Sequence, residues 1–404
     1  MNFDTFNFSP DIMVGVRANG YTTPTPIQLQ SIPPIMKGRD VIGLAQTGTG
    51  KTAAFVLPIL ERLLKGPRGR VRALIISPTR ELAEQTCESV DELGQQTGLR
   101  SIAVYGGVNM DQQIQRLRRG VEIAVACPGR LLDHVWKGTI DLSELEVLVI
   151  DEADRMFDMG FLPDIRSILR CLTKPRQTLL FSATMPQDIR RLVQDILHDP
   201  VTVQIGRTAP AASVSHALYP VKQHLKTALL LDLLYQIETE SVLVFTRTKH
   251  RAERVAQQLK GAGFKATSLQ SNLSQPRRRA ALDGFRDGSF KILVATDIAA
   301  RGIDVLRISH VINYDMPESI DAYTHRIGRT GRVDQFGDAL TLVTSADAGM
   351  VNDIERALNT KLEQRTLQGF DYTVAAPVSD HVRSPRYLPA RTVRSQPFVK
   401  RQFA

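Results

Sequence analysis

The chain has 404 residues, 43% of them hydrophobic and 23% charged, the proportions of an ordinary globular protein. No apolar stretch approaches the ~20 residues that a bilayer requires, the opening Met1-Asn2-Phe3-Asp4 lacks the basic and apolar regions of a signal peptide, and three scattered cysteines offer neither a disulfide framework nor a zinc site. These features point away from membrane and secreted classes and towards a cytoplasmic protein, while a net charge of +9 favours a polyanionic partner.

The first predicted element is a helix with Ser9 as N-cap, Pro10 as its first residue and Gly20 as its stop. Apolar, β-branched runs follow at 41–44, 71–77, 102–105, 122–127, 147–150 and 178–181, with helical periodicity between them, as at 53–64 and 81–93. Near-continuous hydrophobicity within the runs predicts parallel strands covered on both faces. The small, polar stretch 206–213 contains Pro210 and reads as a linker. A second series of runs appears at 241–246, 266–270, 291–296, 310–314 and 339–343. After about Gly369 the periodicity fades. Between Val378 and Ala404 stand six basic residues and one acid, among prolines, so five of the nine net positive charges lie in a tail predicted to be disordered. The organisation expected is α/β: one domain over 1–205, a flexible linker over 206–217, a second domain of similar build over 218–369, and a basic tail over 370–404.

Polar clusters fall at the carboxyl ends of the predicted strands, where open parallel sheets bind ligands. Residues 45–52 read Ala45-Gln46-Thr47-Gly48-Thr49-Gly50-Lys51-Thr52, between a predicted strand and a predicted helix. Converging backbone N–H groups and the helix dipole suit phosphates there; Lys51 would reach the β/γ-phosphates and Thr52 would put a hydroxyl on Mg²⁺. Asp151-Glu152-Ala153-Asp154 follows the apolar run 147–150. Asp151 would hold the metal, and Glu152 would orient and deprotonate an attacking water. Together the two clusters predict a nucleotide triphosphatase that uses Mg²⁺.

Further motifs stand in order. Gly20-Tyr21-Thr22-Thr23-Pro24-Thr25-Pro26-Ile27-Gln28 precedes the phosphate loop. Pro78-Thr79-Arg80-Glu81-Leu82-Ala83, Gly106-Gly107, Pro128-Gly129-Arg130 and Ser182-Ala183-Thr184 follow it. The second half carries Val244-Phe245-Thr246-Arg247-Thr248, the run from Ala295-Thr296-Asp297 to Asp304, and His325-Arg326-Ile327-Gly328-Arg329-Thr330-Gly331-Arg332. The set resembles the DEAD-box ATP-dependent RNA helicases over about residues 1–345. The opening residues and the run from Arg155 to Phe161 most resemble the bacterial RhlE-type subgroup.

The resemblance implies two tandem RecA-like domains and an RNA-dependent ATPase that unwinds short duplexes or remodels RNA–protein complexes. By the same resemblance, Gln28 would read adenine and Phe3 would stack on it. Phe3 could instead be a staple packing the first helix, with Phe6 as the rival stacking ring. Asp304 would touch the ribose, Arg329 and Arg332 would be arginine fingers, and Ser182, Thr184 and His325 would link the ATP site to closure. RNA, read largely independently of sequence, would meet Thr79, Arg80, Gly107 and Arg130 in the first domain and Thr246, Thr296 and Arg301 in the second. Two departures stand out: Cys127 where threonine is usual, and Gln270-Ser271 where His-Gly is commoner. Arg278 or Arg279 could reach phosphate or be solvated surface charge. The tail could tether RNA or dock a protein partner. Alternatives in function are a DNA-directed helicase on the same frame and an ATP-gated RNA clamp or scaffold.

Overall fold

A computed structural model of the protein describes residues 2–46, 48–205, 214–237, 240–300, 308–331 and 337–376. Among them, two seven-stranded sheets form, each paired in parallel throughout. The first sheet contains β1 (Val41–Leu44), β2 (Ala73–Ile76), β3 (Ser101–Val104), β4 (Ile123–Ala126), β5 (Val147–Asp151), β6 (Gln177–Ser182) and β7 (Val201–Gln204), in the order β3-β4-β2-β5-β6-β1-β7. The second contains β8 (Val214–Pro220), β9 (Val242–Phe245), β10 (Ala266–Leu269), β11 (Ile292–Ala295), β12 (His310–Asn313), β13 (Gly337–Val343) and β14 (Glu363–Gln364), in the order β10-β11-β9-β12-β13-β8-β14. The pattern is that of tandem RecA-like domains.

The unbroken hydrophobicity of the strands has a direct cause. Successive side chains point to opposite faces, and each face has its own core. Val147 and Val149 of β5 pack into one cluster with Ala73, Ile75 and Phe55. Leu148 and Ile150 pack into the other with Leu74, Ile76 and Ile165. The second domain repeats the division, with Val242 and Val244 on one face and Leu243 and Phe245 on the other. Fully burying one such side chain contributes about 1.5–3 kcal/mol, so a polar residue in mid-strand would be strongly selected against by the fold alone.

Where the runs were continuous, strands stand close to the expected positions. β8 begins at Val214, inside the stretch read as a linker; Ser215, His216 and Pro220 interrupt its apolar pattern. Edge strand β7 and the two-residue β14 are too short or too exposed to announce themselves. Past Gly369 the chain still packs, because Phe370 and Tyr372 lie against the second core. Residues 206–213 and 377–404, the rest of the expected linker and nearly all of the expected tail, lie outside the described residues.

Candidate active site and nucleic-acid interface

The phosphate-type loop connects β1 to the helix Lys51–Leu63. Gly48 (φ +85°) and Gly50 (φ +90°) take left-handed conformations that a side chain resists, and a Cβ on Gly50 would lie 2.5 Å from Gln28 Nε2. Thr49 Oγ1 donates to Gln46 O (2.8 Å), closing the turn. Gln28 braces it from outside: its amide nitrogen donates to Gly50 O (3.1 Å), while its oxygen accepts from Thr25 N–H (2.9 Å) in a capping box. Lys51 is buried at the head of the helix, and its ammonium donates to Ala45 O (3.0 Å) and faces Glu152 Oε1 (3.1 Å). Thr52 is half-buried in the same first turn. Thr47 lies outside the described residues.

β6 brings a second cluster beside this loop, because Leu44 is in register with Ser182 and Ala45 N–H donates to Ser182 O (3.0 Å). β5 adds the acidic pair on the other side of β6. Glu152 adopts φ +52°, a left-handed turn that ends the strand and starts the helix Ala153–Asp158. Such a backbone costs a non-glycine residue about 1–2 kcal/mol and marks a constrained side chain. Asp154 accepts from Thr184 N–H (2.9 Å), Thr184 Oγ1 (3.1 Å) and Ala183 N–H (3.2 Å), while its own N–H donates to Ser182 Oγ (3.2 Å). The acidic motif and the Ser182–Thr184 turn are therefore one hydrogen-bonded unit. Sequence reasoning had not given Asp154 that task.

The two carboxylates at the tip of β5 are electrostatically unlike. Burial, then the charge of Glu152, pushes the Asp151 carboxyl up to about 7. Burial also opposes ionisation of Glu152, but the Arg155 and Lys51 cations outweigh it and hold that carboxyl well below its usual range. Arg155 is itself buried, with Nε 3.1 Å from Glu152 Oε2. A buried carboxylate that resists ionisation without a cation suits a hard divalent ion. No group of three or more metal-ligating side chains occurs among the described residues.

The second domain reaches this cluster through the helix Ile320–Ile327 and the residues after it. Arg329 is 4% exposed and its charge lowers the Glu152 pKa. The pKa of His325 is depressed, chiefly by burial and against the pull of Asp154. Arg326, not singled out from sequence, is a buried strut: it forks onto Asp297 (2.6 Å to each oxygen) and donates to Asn313 Oδ1 (3.1 Å) and Asp315 O (2.7 Å). Arg332 and Asp304 lie outside the described residues.

Phe3 departs from the stacking expectation. It is 2% exposed, wedged edge-on against Phe6 (5.8 Å) and Tyr21 (5.7 Å) in the first core. Burial leaves its ring no open face, so the packing alternative fits the geometry and Phe6, half-buried, has the more accessible ring.

Comparison with known proteins follows this geometry. Models of the DEAD/DEAH box helicase family and of the helicase conserved C-terminal domain match residues 25–192 and 225–334. The chain is 40% identical over 363 residues to the DEAD-box ATP-dependent RNA helicase CshA of Geobacillus kaustophilus, covering 90% of this chain and 78% of that protein. It is 42% identical over 350 residues to the RNA helicase CrhR of Synechocystis, covering 86% and 71%. Its fold is similar to that of S. cerevisiae Dbp5 bound to RNA and ADP BeF3, with a TM-score of 0.82, 29% identity and coverage of 90% and 95%. The chain belongs to the DEAD-box ATP-dependent RNA helicases. It is an RNA-dependent ATPase, and the DNA-directed and clamp alternatives are not favoured.

The residues that the helicase resemblance assigns to RNA gather at the carboxyl ends of β2, β3, β4, β9 and β11. Thr79 caps the helix Arg80–Leu93 by accepting from Leu82 N–H (3.4 Å). Gly107 (φ +83°) packs so closely on Arg80 that a Cβ would collide with its guanidinium. Arg130 donates to Val108 O (3.3 Å) and Gln113 Oε1 (3.2 Å). The Cys127 thiol, pushed up to about 12 by burial and by Glu81, stays protonated and is a weaker donor than a hydroxyl. In the second domain Thr246 is buried and donates to Thr248 O (3.3 Å), and Thr296 is half-buried. Arg301 lies outside the described residues. Arg278 is neither a free phosphate contact nor solvated: it is 8% exposed, with Nε 2.6 Å from Glu81 Oε1 of the first domain and Nη1 3.0 Å from Gln270 O. Burial of its guanidinium demanded a carboxylate partner, and the helix Arg80–Leu93 supplies one. No helix among the described residues is long and apolar enough to cross a membrane.

Proposed function

We propose that this helicase hydrolyses ATP at the seam between its two domains and grips RNA along the other part of the same cleft. The turn at 45–52, with Gln46, Thr47, Gly48, Thr49 and Gly50, cradles the triphosphate beside Ala45, and Lys51 turns from Glu152 to the phosphates. Thr52 and Asp151 are the groups that would hold Mg²⁺, which when bound neutralises charge on the phosphate oxygens. Glu152 then orients the attacking water and accepts its proton. Until Lys51 turns away, Glu152 is held between two cations and is a poor base, which ties base activity to substrate binding. Gln28 keeps a spare donor and a spare lone pair for adenine. Asp304 meets the ribose, and Arg329 with Arg332 stabilises charge on the transferring group. The unit of Asp154, Ser182 and Thr184, facing His325, passes closure to the ATP site.

RNA lies along Thr79, Arg80, Gly107, Arg130, Thr246, Thr296 and Arg301, whose hydroxyls, backbone and guanidiniums suit a sugar–phosphate chain. The domains occupy 1–205 and 218–369, the latter opened earlier by β8 from Val214 and extended by the packed Phe370 and Tyr372. The basic tail beyond tethers RNA by counterion release or docks a protein. A cytoplasmic site fits these partners. Placement in the RhlE-type subgroup rests on the opening residues and the run from Arg155 to Phe161 alone; the relatives named above are CshA and CrhR proteins.

One observation carries the reading: the two domains meet face to face, with Arg278 of the second 2.6 Å from Glu81 of the first, and Arg329 of the second is buried at 4% exposure. Replacing Glu152 by Gln should abolish RNA-stimulated ATP turnover while leaving nucleotide binding, measured by equilibrium titration, within severalfold. Turnover that survives the substitution would remove Glu152 from the chemistry.

A further inference from the structure

The helix Arg80–Leu93 presents Glu81, Glu84 and Glu88 along one face, at spacings of three and four residues that make them neighbours. Glu81 pairs with Arg278, as described. Glu84 does something different. One of its oxygens accepts from the Tyr105 hydroxyl and stands 3.2 Å from Arg279 Nη2; the other accepts from Gln275 Nε2 (3.4 Å). Tyr105 belongs to the first domain, whereas Gln275 and Arg279 belong to the helix Gln275–Arg286 of the second.

Tyr105 is joined to the RNA-facing loop by chain and by hydrogen bonds. It directly precedes Gly106-Gly107, which lie against Arg80. Its carbonyl accepts from Gln113 Nε2 (3.0 Å), whose own oxygen accepts from Arg130 (3.2 Å). Burial and Glu84 both raise the Tyr105 phenol, so it remains a donor, and Glu84 raises Arg279 in turn. Glu84 is 14% exposed and Arg279 56%, so Arg279 can leave into water when the domains part while Glu84 stays on Tyr105.

We infer that Glu84 is a positioning residue that couples RNA held at the Gly106-Gly107 loop to docking of the second domain through Gln275 and Arg279. The inference rests on the proposed function, with ATP and RNA held in one cleft between the domains and closing them together. RNA seated on the loop fixes Tyr105, Tyr105 fixes the Glu84 carboxylate, and the fixed carboxylate receives the second domain. The Glu81–Arg278 pair closes the same seam without touching the loop. Coupling carried by one partly solvated carboxylate is worth about fivefold to tenfold in RNA response.

The test uses the full chain, a single-stranded oligoribonucleotide and an ATPase assay. Glu84→Gln and Tyr105→Phe should each raise the RNA concentration for half-maximal stimulation about fivefold to tenfold. RNA-free turnover and kcat at saturating RNA should stay within about twofold. Arg279→Ala should shift the same midpoint, and Tyr105→Phe combined with Arg279→Ala should shift it no further than the larger single effect, because both act through Glu84. Unchanged midpoints in a protein whose wild type is stimulated by RNA, or effects that multiply, would overturn the coupling role. A wild type with no RNA stimulation would remove the closure reading itself. Arg279→Ala, at an exposed side chain, keeps the test open if a variant at a buried position folds poorly.

Discussion

The two domains share one strand order, offset by seven: β3-β4-β2-β5-β6-β1-β7 against β10-β11-β9-β12-β13-β8-β14. Their registers match too, since Ala73 pairs with Val147 and Val242 with His310. Counting along β5 and β12 from those pairs, Asp151 corresponds to Tyr314 and Glu152 to Asp315. Lys51 and Lys226 each head the helix after the matching strand. Yet among the described residues only the first domain carries a phosphate-type turn. After β1 the chain turns through Gly48 and Gly50; after β8 it runs through Val221, Lys222 and a 3₁₀ turn, Gln223–Leu225, without a glycine. Lys226 donates to Tyr314 O (2.9 Å) beside the Tyr314 ring, so its ammonium is engaged by its own domain. Parallel topology supplies the location, and turn residues decide whether it binds an anion or seals shut.

The sharpest way to break this comparison is to remove the two lysines. Lys51→Ala should lower ATP turnover by roughly 100-fold or more, the scale set by deleting a preorganised charge donor at a reacting group. Lys226→Ala should leave kcat within about twofold below the melting temperature. It should cost about 2 kcal/mol of stability, from the lost hydrogen bond and the space left around Tyr314, seen as a lowered Tm. Burial already depresses the Lys226 pKa, so part of the charge's worth is spent on desolvation. If Lys226→Ala cut turnover as Lys51→Ala does, the second domain would hold a working site rather than a sealed copy.

Much of this difference was legible in sequence. The runs at 41–44 and 147–150 were readable because both faces of each strand are buried, and Gly48, Gly50 and Lys51 because local turn chemistry needs those residue types. The closure contacts were not legible. Arg278 meets Glu81 across 197 positions, and nothing near either residue distinguishes a paired side chain from a solvated one. The choice between stacking and packing for Phe3 was open for a related reason: an aromatic near a terminus gives no local sign of whether it will be covered, and here Tyr21 and Phe6 lie against it. The stretch after the first domain hid β8, because His216 and Pro220 break its pattern while its stability comes from β13 alongside it.

The smallest expected effect falls on the matched acidic position. Asp315 accepts from Arg247 N–H (2.9 Å) and from Arg251 Nη1 (2.6 Å), and it is 3% exposed. Asp315→Asn keeps an oxygen for the backbone bond and loses the ion pair. Arg251 is 39% exposed, so solvent screens that pair and its loss should cost about 1 kcal/mol or less. The expected result is a Tm lower by a few degrees with ATP turnover unchanged, against abolished turnover for Glu152→Gln at the corresponding place in the other sheet. The contrast follows from surroundings. Glu152 stands on a left-handed turn beside Lys51 and within the field of Arg329, whereas Asp315 fastens the Thr246–Thr248 loop to the end of β12. Equal loss of turnover from the two substitutions would mean that Asp315 acts on the reaction through that loop, and the division between a working site and a sealed one would have to be withdrawn.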